Sequence, residues 1–310
     1  MTSGRLALVV VAVLLAGCAD LQSDRLLEDP GDLPPKARVA GVPFYAQKAH
    51  YCGPASLAMV LSWAGQPVSQ EAVAPQVFTP DKKGAFRSDI LGAARRRGQL
   101  AVVVRGMADL LGELSGGHPV LVFQNLGLSW YPRWHFAVAI GYDLGREDII
   151  LHSGTRRSRT VAMDTFERTW ARTGYWGMVA LPPGQLPVTA DATAVLQAAV
   201  GLERAGQVAA AARAYAAATK RWPGRLGGWI GLANARYRVG DLQGAAKALR
   251  GGLEHHPDSA EAWNNLAVVL GERGQRQAAV AAAERAVELA DERSGIYRET
   301  LKEVRAGGDG

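Results

Sequence analysis

Glycine recurs at positions 206, 240 and 274, and the same 34-residue interval joins Trp229 to Trp263, Leu232 to Leu266, Pro223 to Pro257, and Ala211 to Ala245 to Ala279. A unit of this length holds two antiparallel helices and a turn, and it buries its apolar face only by stacking on the next unit. The spacing therefore predicts three helix pairs, over 191–204 and 207–221, 226–239 and 242–255, and 260–273 and 276–290. Small residues at the shared positions let the paired helices approach closely.

The segments Trp229-Ile230-Gly231-Leu232 and Trp263-Asn264-Asn265-Leu266 resemble the opening of the tetratricopeptide repeat. The resemblance implies an array that binds a protein or peptide partner in its groove. His255 and His256 are adjacent on one helix, so they do not share a face, and they are given no metal role.

Upstream the period changes. Val39 to Leu181 mixes one clear helix with β-rich runs at 101–104, 119–124, 135–142, 149–152 and 177–181. The run Leu181-Pro182-Pro183-Gly184-Gln185-Leu186-Pro187 interrupts both periods and marks a boundary. The division expected is a leader over 1–17, a tether over 18–38, an α+β domain over 39–182, a linker over 183–190, the all-α repeat array over 191–292 and a tail over 293–310. A length of 310 residues suits two folded modules, and a net charge of +6 spread in small groups such as Arg156, Arg157 and Arg159 reads as solvated surface.

Arg5 precedes the apolar run Leu6 to Leu15, which is too short to span a bilayer permanently and reads as the core of a signal peptide. Leu15-Ala16-Gly17-Cys18 resembles a bacterial lipobox, which implies cleavage before Cys18, lipidation of that residue and a membrane anchor. The expected location is the cell envelope, outside the cytoplasm. Ala19 in place of an aspartate points to the periplasmic face of the outer membrane in a cell with two membranes.

Lipidation of Cys18 would leave Cys52 as the one thiol of the mature chain, since the sequence has two cysteines. Cys52 is followed by Gly53 and Pro54, and Leu57, Val60, Leu61 and Ala64 then recur at helical spacing. A helix beginning here sets the sulfur among unpaired amides at the positive end of the helix dipole, where a thiolate is stabilised.

Gln47, five residues before Cys52, then Cys-Gly-Pro-Ala and an apolar helix resemble the bacteriocin-processing, double-glycine peptidases of the papain-like fold. The likeness runs through Asp81-Lys82-Lys83-Gly84-Ala85, Asp89 to Ala94 and Gly117 to Val122 to His135-Phe136-Ala137-Val138-Ala139-Ile140-Gly141-Tyr142-Asp143, about residues 40 to 180. It implies a papain-like cysteine peptidase domain with Cys52 as nucleophile, His135 as base and Gln47 in the oxyanion hole. A well-placed oxyanion donor is worth about 3 kcal/mol. His135 opens an alternating strand whose same-face neighbours Ala137 and Ala139 leave room for an opposing helix.

One position departs from the family. Ile149-Ile150-Leu151-His152-Ser153-Gly154 stands where an aspartate followed by proline usually orients the base. His152 is the expected occupant, with Asp143 as another possible support. A neutral histidine supplies no charge to an imidazolium, which leaves a weakened or absent activity open. The alternative to hydrolysis is an inactive papain-like adaptor that uses the repeats as a scaffold; an amine intercepting the acyl-enzyme would give transfer instead. No cofactor, metal or nucleic acid is expected, because the sequence shows no phosphate-binding glycine loop, no paired histidines at zinc spacing and no basic aromatic stripe.

Overall fold

The computed structural model describes residues 21–82, 84–290 and 294–306. Cys18, the expected site of lipid attachment, and the leader before it lie outside the described residues. No helix among those described is long and apolar enough to cross a membrane.

The first domain is built on a seven-stranded antiparallel sheet. Its main path runs β4 (Leu100–Arg105), β9 (Trp176–Leu181), β5 (Val120–Asn125), β6 (Trp134–Asp143), β7 (Asp148–Ser153) and β8 (Arg156–Ala162), and β1 (Lys36–Arg38) pairs with the far end of β6. All five β-rich runs of the sequence are strands. β8 has no such run because it is a charged, largely exposed edge. Arg156, Arg157 and Arg159 on it blunt that edge against further pairing.

The helix beginning at Cys52 is α2 (Cys52–Trp63), and every residue from Gly53 to Leu61 is buried. It is apolar around its whole circumference because it packs between the sheet and its helical neighbours. The domain holds four further helices that the sequence pattern did not reveal: α3 (Gln70–Val77), α4 (Arg87–Arg96), α5 (Met107–Ser115) and α6 (Met163–Ala171). Each is only 8 to 10 residues long, and Pro75 sits inside α3, so no sustained helical period could develop. β2 (Phe78–Thr79) and β3 (Gly84–Ala85) form a small separate hairpin before α4.

The stretch expected as a free tether is docked from residue 22 onward. α1 (Gln22–Glu28) lies against α5 and α6. The buried Glu167 carboxylate accepts the backbone N–H of Gln22 at 2.8 Å and of Ser23 at 2.7 Å, so α6 supplies the N-terminal cap that Leu21 cannot. β1 then extends the sheet.

Beyond the boundary stand α7 (Ala192–Arg204), α8 (Val208–Arg221), α9 (Leu226–Arg238), α10 (Leu242–His255), α11 (Ala260–Glu272) and α12 (Arg276–Glu288), within about two residues of the expected pairs. The phased glycines explain the period. Gly206, Gly240 and Gly274 have φ of +77°, +79° and +71° and close the first helix of each pair in the left-handed conformation. The tryptophans repeat a bond as well as a position, since Trp229 Nε1 donates to Pro223 O and Trp263 Nε1 to Pro257 O, both at 2.8 Å. The expected tail contains a further helix, α13 (Ser294–Ala306), which packs on α11 and α12 with Tyr297 buried.

The two modules are in contact. α7 and α8 lie against β4, and Gln207 Nε2 donates to Arg96 O at 2.9 Å. The linker is strapped down: Thr189 donates from N and Oγ1 to the fully buried Glu113 at 2.8 and 2.7 Å, and Arg221 holds the carbonyl of Val188 at 2.9 Å.

Candidate active site

Cys52 is the first residue of α2, capped by Tyr51 and preceded by His50 at a φ of +66°. The strained turn at His50 lets the chain enter the helix with the sulfur at its end. Burial pushes the Cys52 thiol above its ordinary range, against the pull of the backbone N–H groups of Phe136, Gly53 and Cys52 itself. The address at the helix N-terminus therefore exists, but desolvation outweighs it in the resting chain.

The helix and β6 meet closely because residue 53 has no side chain. A Cβ there would stand 2.6 Å from Ala85 Cβ and 3.5 Å from both Ile90 Cδ1 and Phe136 Cδ2. Phe136 uses both of its backbone groups at this junction: its N–H acts on the Cys52 sulfur, and its carbonyl accepts Gln47 Nε2 at 3.2 Å. Both point away from β5 at a place where β7 has not yet begun to pair, since the β6 to β7 register starts at Val138 and His152.

Gln47 is fixed on every side. Its Oε1 accepts Gly154 N at 3.0 Å, its own N–H donates to Gly154 O at 3.0 Å, and Nε2 also reaches Ser56 Oγ at 3.3 Å. Ser56 is one turn beyond Cys52 on the same helix face. The Gln47 carboxamide nitrogen is thus engaged by both Phe136 and Ser56.

His135 is mostly buried, and its Nε2 lies 2.9 Å from Ser153 Oγ. Burial first, and then the positive charges of Arg159 and Arg133, push its pKa down to about 4. The imidazole is neutral at pH 7. Among the described residues no hydrogen bond joins it to Cys52. Phe136, the next residue along β6, is the one whose backbone N–H acts on the Cys52 sulfur.

The expectation that His152 orients His135 is overturned by the register. His152 pairs with Val138, so its side chain projects to the face opposite that of His135, Ala137 and Ala139. Its Nδ1 accepts Ser158 N at 3.1 Å and its Nε2 faces Val42 O at 3.3 Å, with Phe44 edge-on at 5.3 Å. It is a satisfied core histidine. Asp143 is equally remote: eight residues of strand separate it from His135, about 26 Å, and its carboxylate accepts Arg146 N at 3.1 Å. Ser153, overlooked in the sequence, takes the position. Uninterrupted alternation from the turn at 144–147 would set His152 opposite Ala139, on the face of His135; the irregularity between Ala139 and Gly141 shifts the pairing to Val138 and His152, and no sequence signal marks that shift.

Cys52 opens into a cleft of about 870 Å³ walled by Phe86, Phe123, Trp134 and Phe136, with Lys82, Arg87 and Arg133 as its cations. Among the described residues no aspartate or glutamate lines it. One rim is the connection between β5 and β6, held by Asn125 Oδ1, which accepts the N–H of Gly127 at 2.9 Å and of Arg133 at 2.8 Å. Trp130 and Tyr131 at its tip are 81% and 68% exposed, which gives the cleft an apolar lip.

Residues 39–178 match the Peptidase C39 like family, and residues 226–269 match the tetratricopeptide repeat family. No curated protein matches the chain in sequence. Among solved structures, a C39-like peptidase from Bacillus anthracis is 19% identical, with a TM-score of 0.41, over 47% of this chain and 97% of that one. The Yersinia enterocolitica type III secretion chaperone SycD is 16% identical, with a TM-score of 0.34, over 36% of this chain and 89% of that one. Residues 39–178 thus form a domain of the C39-like peptidase family, followed by an all-helical tetratricopeptide array.

Proposed function

We propose that the chain is a membrane-anchored thiol peptidase. Cys52 attacks the peptide carbonyl, and His135 takes the thiol proton during attack and returns it to the leaving amine. Water, activated by the same imidazole, then releases the acyl group. The observation that carries this reading is the convergence on Phe136: one residue's backbone meets the sulfur of Cys52 and the carboxamide of Gln47, and the next residue back is His135. Because the thiol is held protonated and the imidazole neutral, the base acts in the attacking step rather than through a standing ion pair. Lipid attachment at Cys18 would set both modules on an envelope membrane, and the repeats would hold a peptide or protein partner.

A second reading, a silent papain-like adaptor, is favoured by Ser153, which places a hydroxyl where a carboxylate would steady the imidazolium. Incubation with a peptide library and mapping of new amino termini separates the two. Cleavage that disappears in both Cys52→Ala and His135→Ala supports the peptidase; no cleavage by the unmodified chain, with the repeats still binding peptide, supports the adaptor.

A further inference from the structure

A second cleft, about 900 Å³ in volume, lies at the seam between the two modules, away from Cys52. Its floor is formed by the first helices of the first two pairs, with Leu196, Gln197 and Val200 from α7 and the start of α9. Three arginines line it and, among the described residues, no aspartate or glutamate does. Arg204 belongs to α7 and Arg225 precedes α9, whereas Arg95 comes from α4 of the peptidase-like domain.

Arg95 reaches this place because residue 201 is glycine. A Cβ at Gly201 would lie 2.6 Å from Arg95 Cζ and 2.7 Å from Nε and Nη1, so only a bare helix surface lets the guanidinium lie flat on α7. One turn further along α7 stands Arg204. Arg95 donates one long bond, from Nη2 to Ala101 O at 3.4 Å, while its buried Nε has no partner. Neither Arg204 nor Arg225 makes a side-chain hydrogen bond or ion pair among the described residues. Glu203, next to Arg204 in sequence, is occupied by Tyr215 Oη at 2.7 Å and by Arg238 at 3.0 Å. Positive groups brought together with open donors and no carboxylate are stabilised by an anion that takes those donors.

We propose that this seam cleft binds an acidic, partly apolar peptide segment, its carboxylates on Arg95, Arg204 and Arg225 and its apolar residues on Leu196 and Val200. The composite lining is what sets the site apart, since the repeat array alone lacks Arg95. α4 also ties the site to the other cleft. Its first residue, Arg87, lines the cleft at Cys52, and Arg95 lies eight residues on, about 12 Å along the helix axis. A peptide held in the seam is therefore one short helix away from the thiol, beside a second acid-free, cationic cleft. That this delivers substrate rests on the peptidase reading; the binding itself does not.

The test uses the full chain with Cys52→Ala, so that turnover plays no part. An eight-residue peptide alternating leucine and glutamate is titrated by fluorescence anisotropy beside its leucine–glutamine and leucine–lysine counterparts, with inorganic phosphate as competitor. The expected result is binding at least about tenfold tighter for the glutamate peptide than for the glutamine one. Arg204→Glu with Arg225→Glu, both exposed positions, should abolish it and create affinity for the lysine peptide, with thermal unfolding unchanged. Arg95→Gln should weaken binding about tenfold. Equal affinity for the glutamate and glutamine peptides, indifference to the charge reversal, or displacement by phosphate at concentrations where ionic strength alone has no effect would each overturn the assignment, the last by identifying a phosphate site.

Discussion

His135 Nε2 and Ser153 Oγ lie 2.9 Å apart on one face of the sheet, in the place where the sequence pointed to His152. Replacing Ser153 with aspartate would put a carboxylate against the imidazole and raise its pKa from about 4 towards the ordinary value near 6.5. NMR titration of His135 reads the shift. Ser153→Ala should slow turnover about tenfold by loosening the ring, and an unchanged rate would remove Ser153 from the site.

Alkylation of Cys52 by iodoacetamide follows the resting protonation states. His135 is neutral above about pH 5, and burial holds the thiol protonated beyond its usual range near pH 8.5. The rate should therefore stay low from pH 5 to 8 and climb only at alkaline pH. A plateau beginning below pH 7 and lost in His135→Ala would instead reveal a standing thiolate–imidazolium pair.

Gly53→Ala tests the closeness of α2 to its neighbours. The added methyl meets Ala85 Cβ at 2.6 Å, and neither backbone can retreat without moving the β3 wall of the cleft. A loss of about 1–3 kcal/mol is expected, read by denaturant unfolding, together with altered access of reagents to Cys52.

Glu113 sets an acid limit on the domain. Burial pushes its carboxyl up, but hydrogen bonds from His118 and Thr189 outweigh burial and hold it below the ordinary glutamate value near 4.3. A lowered pKa in the folded chain means that this stabilisation is fully present above about pH 4.3 and is lost as pH falls through the folded value. Glu113→Gln should cost about 3 kcal/mol at neutral pH and flatten the fall of Tm below pH 4.

Glu167 holds α1 to the body. Glu167→Ala removes the acceptor of two helix N–H groups and of Tyr175 Oη at 2.9 Å. Limited trypsin digestion should then cut at Arg25 at least tenfold faster. Equal rates would mean that packing alone keeps the helix in place.

The three helix pairs of the repeat array were legible in the chain, because a 34-residue period is a local property that each glycine, proline and tryptophan enforces within its own unit, whereas the helix at 294–306, outside the period, was not. Five strands and the helix at Cys52 were legible for the same reason. The short helices α3 to α6 and the edge strand β8 were not, since contact with the sheet holds them in place, with little help from their own periodicity. The places of Cys52 and His135 in the fold could be read because one lies at a helix start and the other at a strand start. The choice between His152 and Ser153 could not: a one-residue change of register turns every side chain of a strand to the other face, and the register is set by the turn at 144–147 and the irregularity near Ala139. Tertiary packing alone decided the protonation of the Cys52 and His135 pair, through burial, and the meeting of Arg95 with Arg204 across the seam, through the bare surface at Gly201.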